Sequence, residues 1–138
     1  IGRHPHVGAD QVAFTLGIDN ARNVTGGLPT STINNQMAWP DQMGGGYHHM
    51  KLEGMWQDSG SAPQGFAMHL GLAHQANCVQ NQVFSIAEGS NAHTLTMNIN
   101  EWFASPAVYD FAADGTSIMS NEASMEKLAR NGDDVFDN

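Results

Sequence analysis

Residues 47–56, YHHMKLEGMW, decide how the chain is read. His48, Met50, Leu52 and Trp56 share one parity, and Tyr47, His49, Lys51 and Glu53 share the other. The stretch is therefore a strand with one apolar face and one polar face. On that parity His48 points inward beside Met50, where an imidazole needs either a hydrogen-bond partner or a metal ion. The residues alone leave both readings open. Upstream, residues 19–46 are rich in Asn, Gly, Thr, Ser and Pro and end in Gly44-Gly45-Gly46. So long a loop in a compact domain is usually a functional one. Residues 11–18 alternate, with Val12, Phe14, Leu16 and Ile18 on one face, and the first ten residues, with His4-Pro5-His6, read as a loop.

Downstream, residues 65–71 place Phe66, Met68 and Leu70 on one face and His69 on the other, and residues 82–87 predict a further strand. Residues 93–103 alternate most clearly, with His93, Leu95, Met97 and Ile99 against Thr94, Thr96, Asn98 and Asn100. Strands at this spacing, separated by turn residues, predict a mainly β fold, an antiparallel β-sandwich with long loops. The end of the chain differs. Asn121 is a good N-cap, Met125, Leu128 and Ala129 form a stripe, and Gly132 suits the C′ position, so a short C-terminal helix is expected.

The 138 residues suffice for one domain. With 5 basic against 14 acidic residues the net charge is −9, a surface that repels phosphate backbones and attracts cations. Nucleic-acid binding is excluded on that ground. No apolar run reaches the roughly 20 residues that span a bilayer. The chain begins at Ile1, and we expect a processed or partial product whose export signal lies outside it. Cys78 is the only cysteine, so it is either a free thiol or paired outside these residues, and the redox compartment stays open.

Seven His and eight Met make a high density of soft and borderline metal ligands. The densest cluster is Met37, Trp39, Met43, His48, His49 and Met50, on a glycine-rich loop running into a strand. Met50, Leu52, Met68 and Met97 read as core packing in preference to ligands. His69 reads as a surface residue on its strand's polar face, and His93 as a third ligand or a core residue near the rim. His4, His6 and His74 sit in loops. There is no His-Glu-x-x-His motif, no Gly-x-Ser-x-Gly elbow and no phosphate-cradling glycine loop, so no enzyme template applies. Cys78 has no histidine close behind it, against a blue-copper site. Asp19, Asp41, Asp58, Asp110 and Asp114 offer calcium only weak support, since none has EF-hand spacing.

Residues 37–54, MAWPDQMGGGYHHMKLEG, resemble the central segment of the MbnP-like proteins. So do residues 14–19 (FTLGID), His69-Leu70-Gly71, residues 100–103 (NEWF), and the ending from residues 118–121 (IMSN) to 131–136 (NGDDVF). That family is similar to bacterial periplasmic or cell-surface copper-binding proteins. Some of its relatives use two histidines with a tryptophan oxidised to kynurenine, an oxidation that a dihaem peroxidase-like partner can perform. The resemblance implies a copper cofactor, Cu(I) or Cu(II), with His48 and His69 as first ligands, His49 and His93 as further candidates, and Trp39 as the modifiable tryptophan. Trp56 and Trp102 compete for that last role. It also implies a periplasmic or extracellular location and no catalytic residues. Two departures stand out: the family's amino-terminal strands are absent here, and Cys78 has no second cysteine nearby. Low charge and abundant Asn and Gly suggest a second reading, a self-assembling subunit of a surface layer or filament with strand edges completed by a neighbour.

Overall fold

The computed structural model describes residues 11–71, 80–85 and 94–137. Its strands are β1 (Gln11–Leu16), β2 (Met50–Trp56), β3 (Gln64–Leu70), β4 (Gln80–Ser85), β5 (Thr96–Met97) and β6 (Phe136–Asp137). They pair as three two-stranded antiparallel sheets, β1 with β4, β2 with β3 and β5 with β6. Four helices accompany them: α1 (Thr32–Gln36), α2 (Glu101–Ala104), α3 (Phe111–Asp114) and α4 (Glu122–Asn131). Antiparallel pairing and the terminal helix are as expected, but the described residues form a small mixed α/β arrangement and not a β-sandwich.

The largest departure lies in the stretch with the clearest alternation. Of residues 94–103 only Thr96 and Met97 form a strand, and α2 begins at Glu101. Leu95, Met97 and Ile99 are 41%, 40% and 53% exposed, so Met97 is not a core residue. The Asn98 side chain accepts the Asn100 backbone N–H at 3.2 Å, and the Glu101 N–H turns back onto the Asn98 carbonyl at 3.1 Å. These local bonds give the backbone an alternative to a sheet ladder, and period-two patterning cannot register them.

The β2–β3 hairpin pairs Met50 with Leu70, Leu52 with Met68 and Gly54 with Phe66. This apolar face joins Trp102, Tyr109, Ile118, Met125, Leu128 and Val135 in one core cluster. Helix α4 lies against it because Met125, Leu128 and Ala129 recur at helical spacing and are all buried. Its start is fixed by the Asn121 side chain, which accepts the Ser124 N–H. Gly132 does not end the helix in a left-handed turn: its φ is −59°, and the chain continues as a 3-10 turn to Asp134. Beyond α4's stripe, Asn131 is fully buried, donating to the Trp102 and Ala107 carbonyls and accepting the Ala107 N–H. On the hairpin's outer edge an aromatic group forms, in which Trp56 stacks on Phe111 at 5.1 Å and Phe111 meets Phe66 at 5.2 Å.

Candidate metal centre

The hairpin turns its other face, Lys51, Glu53 and Met55 opposite His69, Ala67 and Gly65, away from that core. The long loop covers part of this face. Ser31 caps α1 by accepting the Asn34 N–H, and the chain then runs through Met37 to Trp39. Gly44, Gly45 and Gly46 take φ of 107°, 69° and 85°, a left-handed run that turns the chain back on itself and that only glycine adopts cheaply. Ala38 consequently bridges Tyr47, with the Trp39 N–H on the Gly46 carbonyl at 2.9 Å and the His48 N–H on the Met37 carbonyl at 2.7 Å. Trp39 and His48 are thereby placed side by side, although nine positions separate them in sequence.

The change of partner also corrects the orientation of His48. The strand begins at Met50; before it the backbone bonds first to the loop and then, through the His49 N–H, to the Leu70 carbonyl. Strand parity therefore does not extend to His48. Its ring is buried and meets His69, a residue of the hairpin's other face, edge to face with centroids 4.9 Å apart. On its other side stands Trp39, at 4.7 Å. His48 and His69 are 5% and 8% exposed, so His69 is not a surface residue.

Hydrogen bonding fixes the protons on both rings. His48 Nδ1 lies 2.9 Å from the Met37 carbonyl, which can only accept, so Nδ1 carries the proton and Nε2 the lone pair. His69 Nε2 lies 2.7 Å from the Glu53 carboxylate, which makes Nε2 the donor, so that in the neutral ring the lone pair is on Nδ1. His48 Nε2 and His69 Nδ1 are both buried without any hydrogen-bond partner. Two unsatisfied imidazole lone pairs in adjoining rings, each ring's other nitrogen held by an acceptor, is the arrangement that metal-ligating histidines adopt. Burial pushes the His48 pKa below its usual value, with the Met37 carbonyl opposing. The ring is thus kept neutral and able to donate its lone pair. The His69 hydrogen bond holds the Glu53 carboxyl below the usual carboxylate range. A cleft of about 420 Å³ lined by Ile33, Gln36, Met37, Lys51 and Glu53 borders the two residues that hold the imidazoles.

Trp39 is 2% exposed and donates its ring N–H to the Met43 carbonyl at 3.1 Å. Gly71 makes room for it, since a Cβ there would sit 1.8 Å from Trp39 Cε3. Trp102 lies in the core and Trp56 stacks on Phe111, so Trp39 is the tryptophan in ring contact with a candidate ligand.

His49 serves differently. Its Nδ1 accepts the Ile18 N–H at 3.0 Å and its Nε2 faces the Asn23 amide at 3.2 Å. Burial lowers its pKa, so a neutral ring ties the end of β1 to the hairpin and is not aimed at the His48–His69 pair. Asn23, itself 3% exposed, also brackets Tyr47, donating to its carbonyl and accepting its N–H. His93 lies outside the described residues, as do His4, His6, His74 and Cys78. The loop aspartates are engaged locally: Asp19 pairs with Arg22, Asp41 accepts from Thr25, Asp58 and Asp110 hold turns, and Asp114 pairs with Lys127. Calcium finds no cluster among them.

Four contributors to the site are given no role by the sequence reading: the Met37 carbonyl, Asn23, the Glu53 carboxylate and Gly71. Glu53 was within reach of pairing logic, because an antiparallel hairpin joining residues 50–56 to 64–70 sets it diagonal to His69 on the polar face. Glycine 71 could be found only by knowing what packs on it.

No curated protein matches the chain at a significant level. No solved structure does either. A sequence model of the MbnP family matches residues 2–121 of the 138. The match spans the loop, the hairpin and both site histidines, and the chain belongs to the MbnP family.

Proposed function

We propose that the chain is an exported copper-binding protein that holds one copper ion between His48 Nε2 and His69 Nδ1, for acquisition, storage or delivery outside the cytoplasm. Membership of a copper-associated family supports the metal. The observation that carries the site is the pair of buried, unpartnered imidazole nitrogens in rings 4.9 Å apart. Leaving two such atoms without partners costs on the order of 1–3 kcal/mol each, and a metal ion satisfies both at once. Neutral imidazoles suit copper in either oxidation state. Among the described residues no three His, Cys, Asp or Glu side chains group into a site. Among the described residues, additional donors would be Met37 or an oxidised Trp39, with solvent. Trp39 is our candidate for conversion to kynurenine by a dihaem peroxidase-like partner, and its ring contact with His48 supports that choice. The protein acts by holding and releasing the ion, without a catalytic step of its own. No helix among the described residues is long and apolar enough to cross a membrane, which accords with a protein exported whole.

A competition titration of the metal-stripped protein against a chromophoric chelator tests this reading. One copper per chain is expected, with His48→Ala and His69→Ala each weakening binding severely. Unchanged affinity in both variants would overturn it.

A further inference from the structure

We infer that Glu53 is the positioning residue of the centre: its carboxylate fixes His69 so that Nδ1, and not Nε2, faces the ion. This inference rests on the copper reading for its ligand but on hydrogen-bond geometry for its substance. In metal-free protein a neutral histidine has two tautomers, and which one is populated depends on what each nitrogen meets. Here Glu53 Oε1 lies 2.7 Å from His69 Nε2, and an ionised carboxylate accepts without donating. Placing the proton on Nδ1 instead would set lone pair against lone pair at that contact. It would also leave an N–H in a buried position with no acceptor, since Nδ1 has no partner. Two separate features thus select the same tautomer.

The placement of Glu53 follows from the sheet. Lys51 is directly opposite His69 and Glu53 opposite Ala67, so the carboxylate reaches His69 along the diagonal of the hairpin's polar face. Lys51 Nζ stands 3.5 Å from the same Oε1, a weaker contact that adds a positive neighbour to the charged form. His48 is fixed by different means, a backbone carbonyl on its Nδ1, which presents Nε2. The centre is therefore unsymmetrical: one imidazole donates through Nε2 and the other through Nδ1. Their outer partners are a peptide group and a carboxylate respectively. A carboxylate behind an imidazole also strengthens it as a donor, and losing such a partner commonly lowers metal affinity by roughly 10–100-fold.

Three variants separate the roles. Glu53→Ala removes acceptor and charge; Glu53→Gln keeps an oxygen that can accept the Nε2–H; Lys51→Ala removes the positive neighbour and keeps the Glu53–His69 hydrogen bond. In ¹⁵N long-range correlation spectra of metal-free protein, we expect His69 to be the Nε2–H tautomer in the wild type, in Glu53→Gln and in Lys51→Ala. Glu53→Ala should weaken that preference, since only the acceptor-less burial of Nδ1 then favours it, and its copper affinity by chelator competition should fall roughly 10–100-fold, with a smaller loss in Glu53→Gln. An unchanged His69 tautomer and unchanged affinity in Glu53→Ala would overturn the inference while leaving the copper reading intact. Conversely, a wild type that binds no copper but whose His69 tautomer still depends on Glu53 would remove the copper reading and leave the positioning role standing.

Discussion

Replacing Gly71 by Ala puts the packing of the centre under direct strain. The added Cβ would lie 1.8, 2.2 and 2.5 Å from Trp39 Cε3, Cζ3 and Cδ2. Ordinary carbon contacts begin near 3.4 Å, so the ring must retreat by about 1.6 Å from a position where it is 2% exposed. The ring also contacts His48, with centroids 4.7 Å apart, and its indole N–H is tied to the Met43 carbonyl. Retreat therefore breaks at least one of these contacts. Overpacking of this kind costs about 1–3 kcal/mol, and complete expulsion of a tryptophan about 3–5 kcal/mol, so we expect roughly 3 kcal/mol. For a domain of this size that lowers the unfolding midpoint by about 10 °C. Thermal unfolding of metal-free protein by circular dichroism measures the loss, and a red shift in tryptophan emission reports Trp39 meeting water. Gly65→Ala, within β3 itself, is the control, since its Cβ would meet only Met55 Sδ, at 4.0 Å. A Gly71→Ala protein within about 0.5 kcal/mol of wild type, with unchanged emission, would refute the packing argument.

Copper at 100 times its dissociation constant should stabilise the wild type by about 2.7 kcal/mol, read as a rise in melting temperature that His48→Ala/His69→Ala lacks. In metal-free protein, burial lowers the His48 and His49 pKa values from 6.5. The unfolded chain then binds more protons than the folded one below pH 6.5, so this stability is intact above 6.5 and lost as pH falls from there through the folded values. Denaturant unfolding that stayed flat on acidification from pH 7 would contradict the buried, neutral rings. Asn131→Ala leaves the Trp102 and Ala107 carbonyls and the Ala107 N–H without their partner. About 3 kcal/mol should disappear from the denaturant midpoint. Asn121→Ala removes the cap of α4 and should cost about 1 kcal/mol in the same assay.

Alternation located the hairpin correctly because its two strands share one face that joins the core, and burial on one side is what period two records. It failed at residues 93–103, where Leu95, Met97 and Ile99 are exposed and the asparagines turn the chain into α2. The terminal helix was legible from cap and stripe together. At the candidate centre, His48, His69, Trp39 and the loop that brings them together could be singled out, but the orientation of His48 could not. That orientation depends on the backbone exchanging one partner for another between Tyr47 and Met50, through glycines whose turn joins Met37 to His48. The tautomers of the two rings lay further still from the sequence, since a backbone carbonyl sets one and a diagonal cross-strand neighbour the other.

The most direct test of the account is X-ray absorption at the copper edge of protein loaded with one equivalent of the metal. Multiple scattering from imidazole rings counts histidine ligands in either oxidation state. The account predicts two imidazoles per copper in the wild type and one in either His48→Ala or His69→Ala. A wild-type spectrum with fewer than two imidazoles, or two retained in both variants, would contradict it.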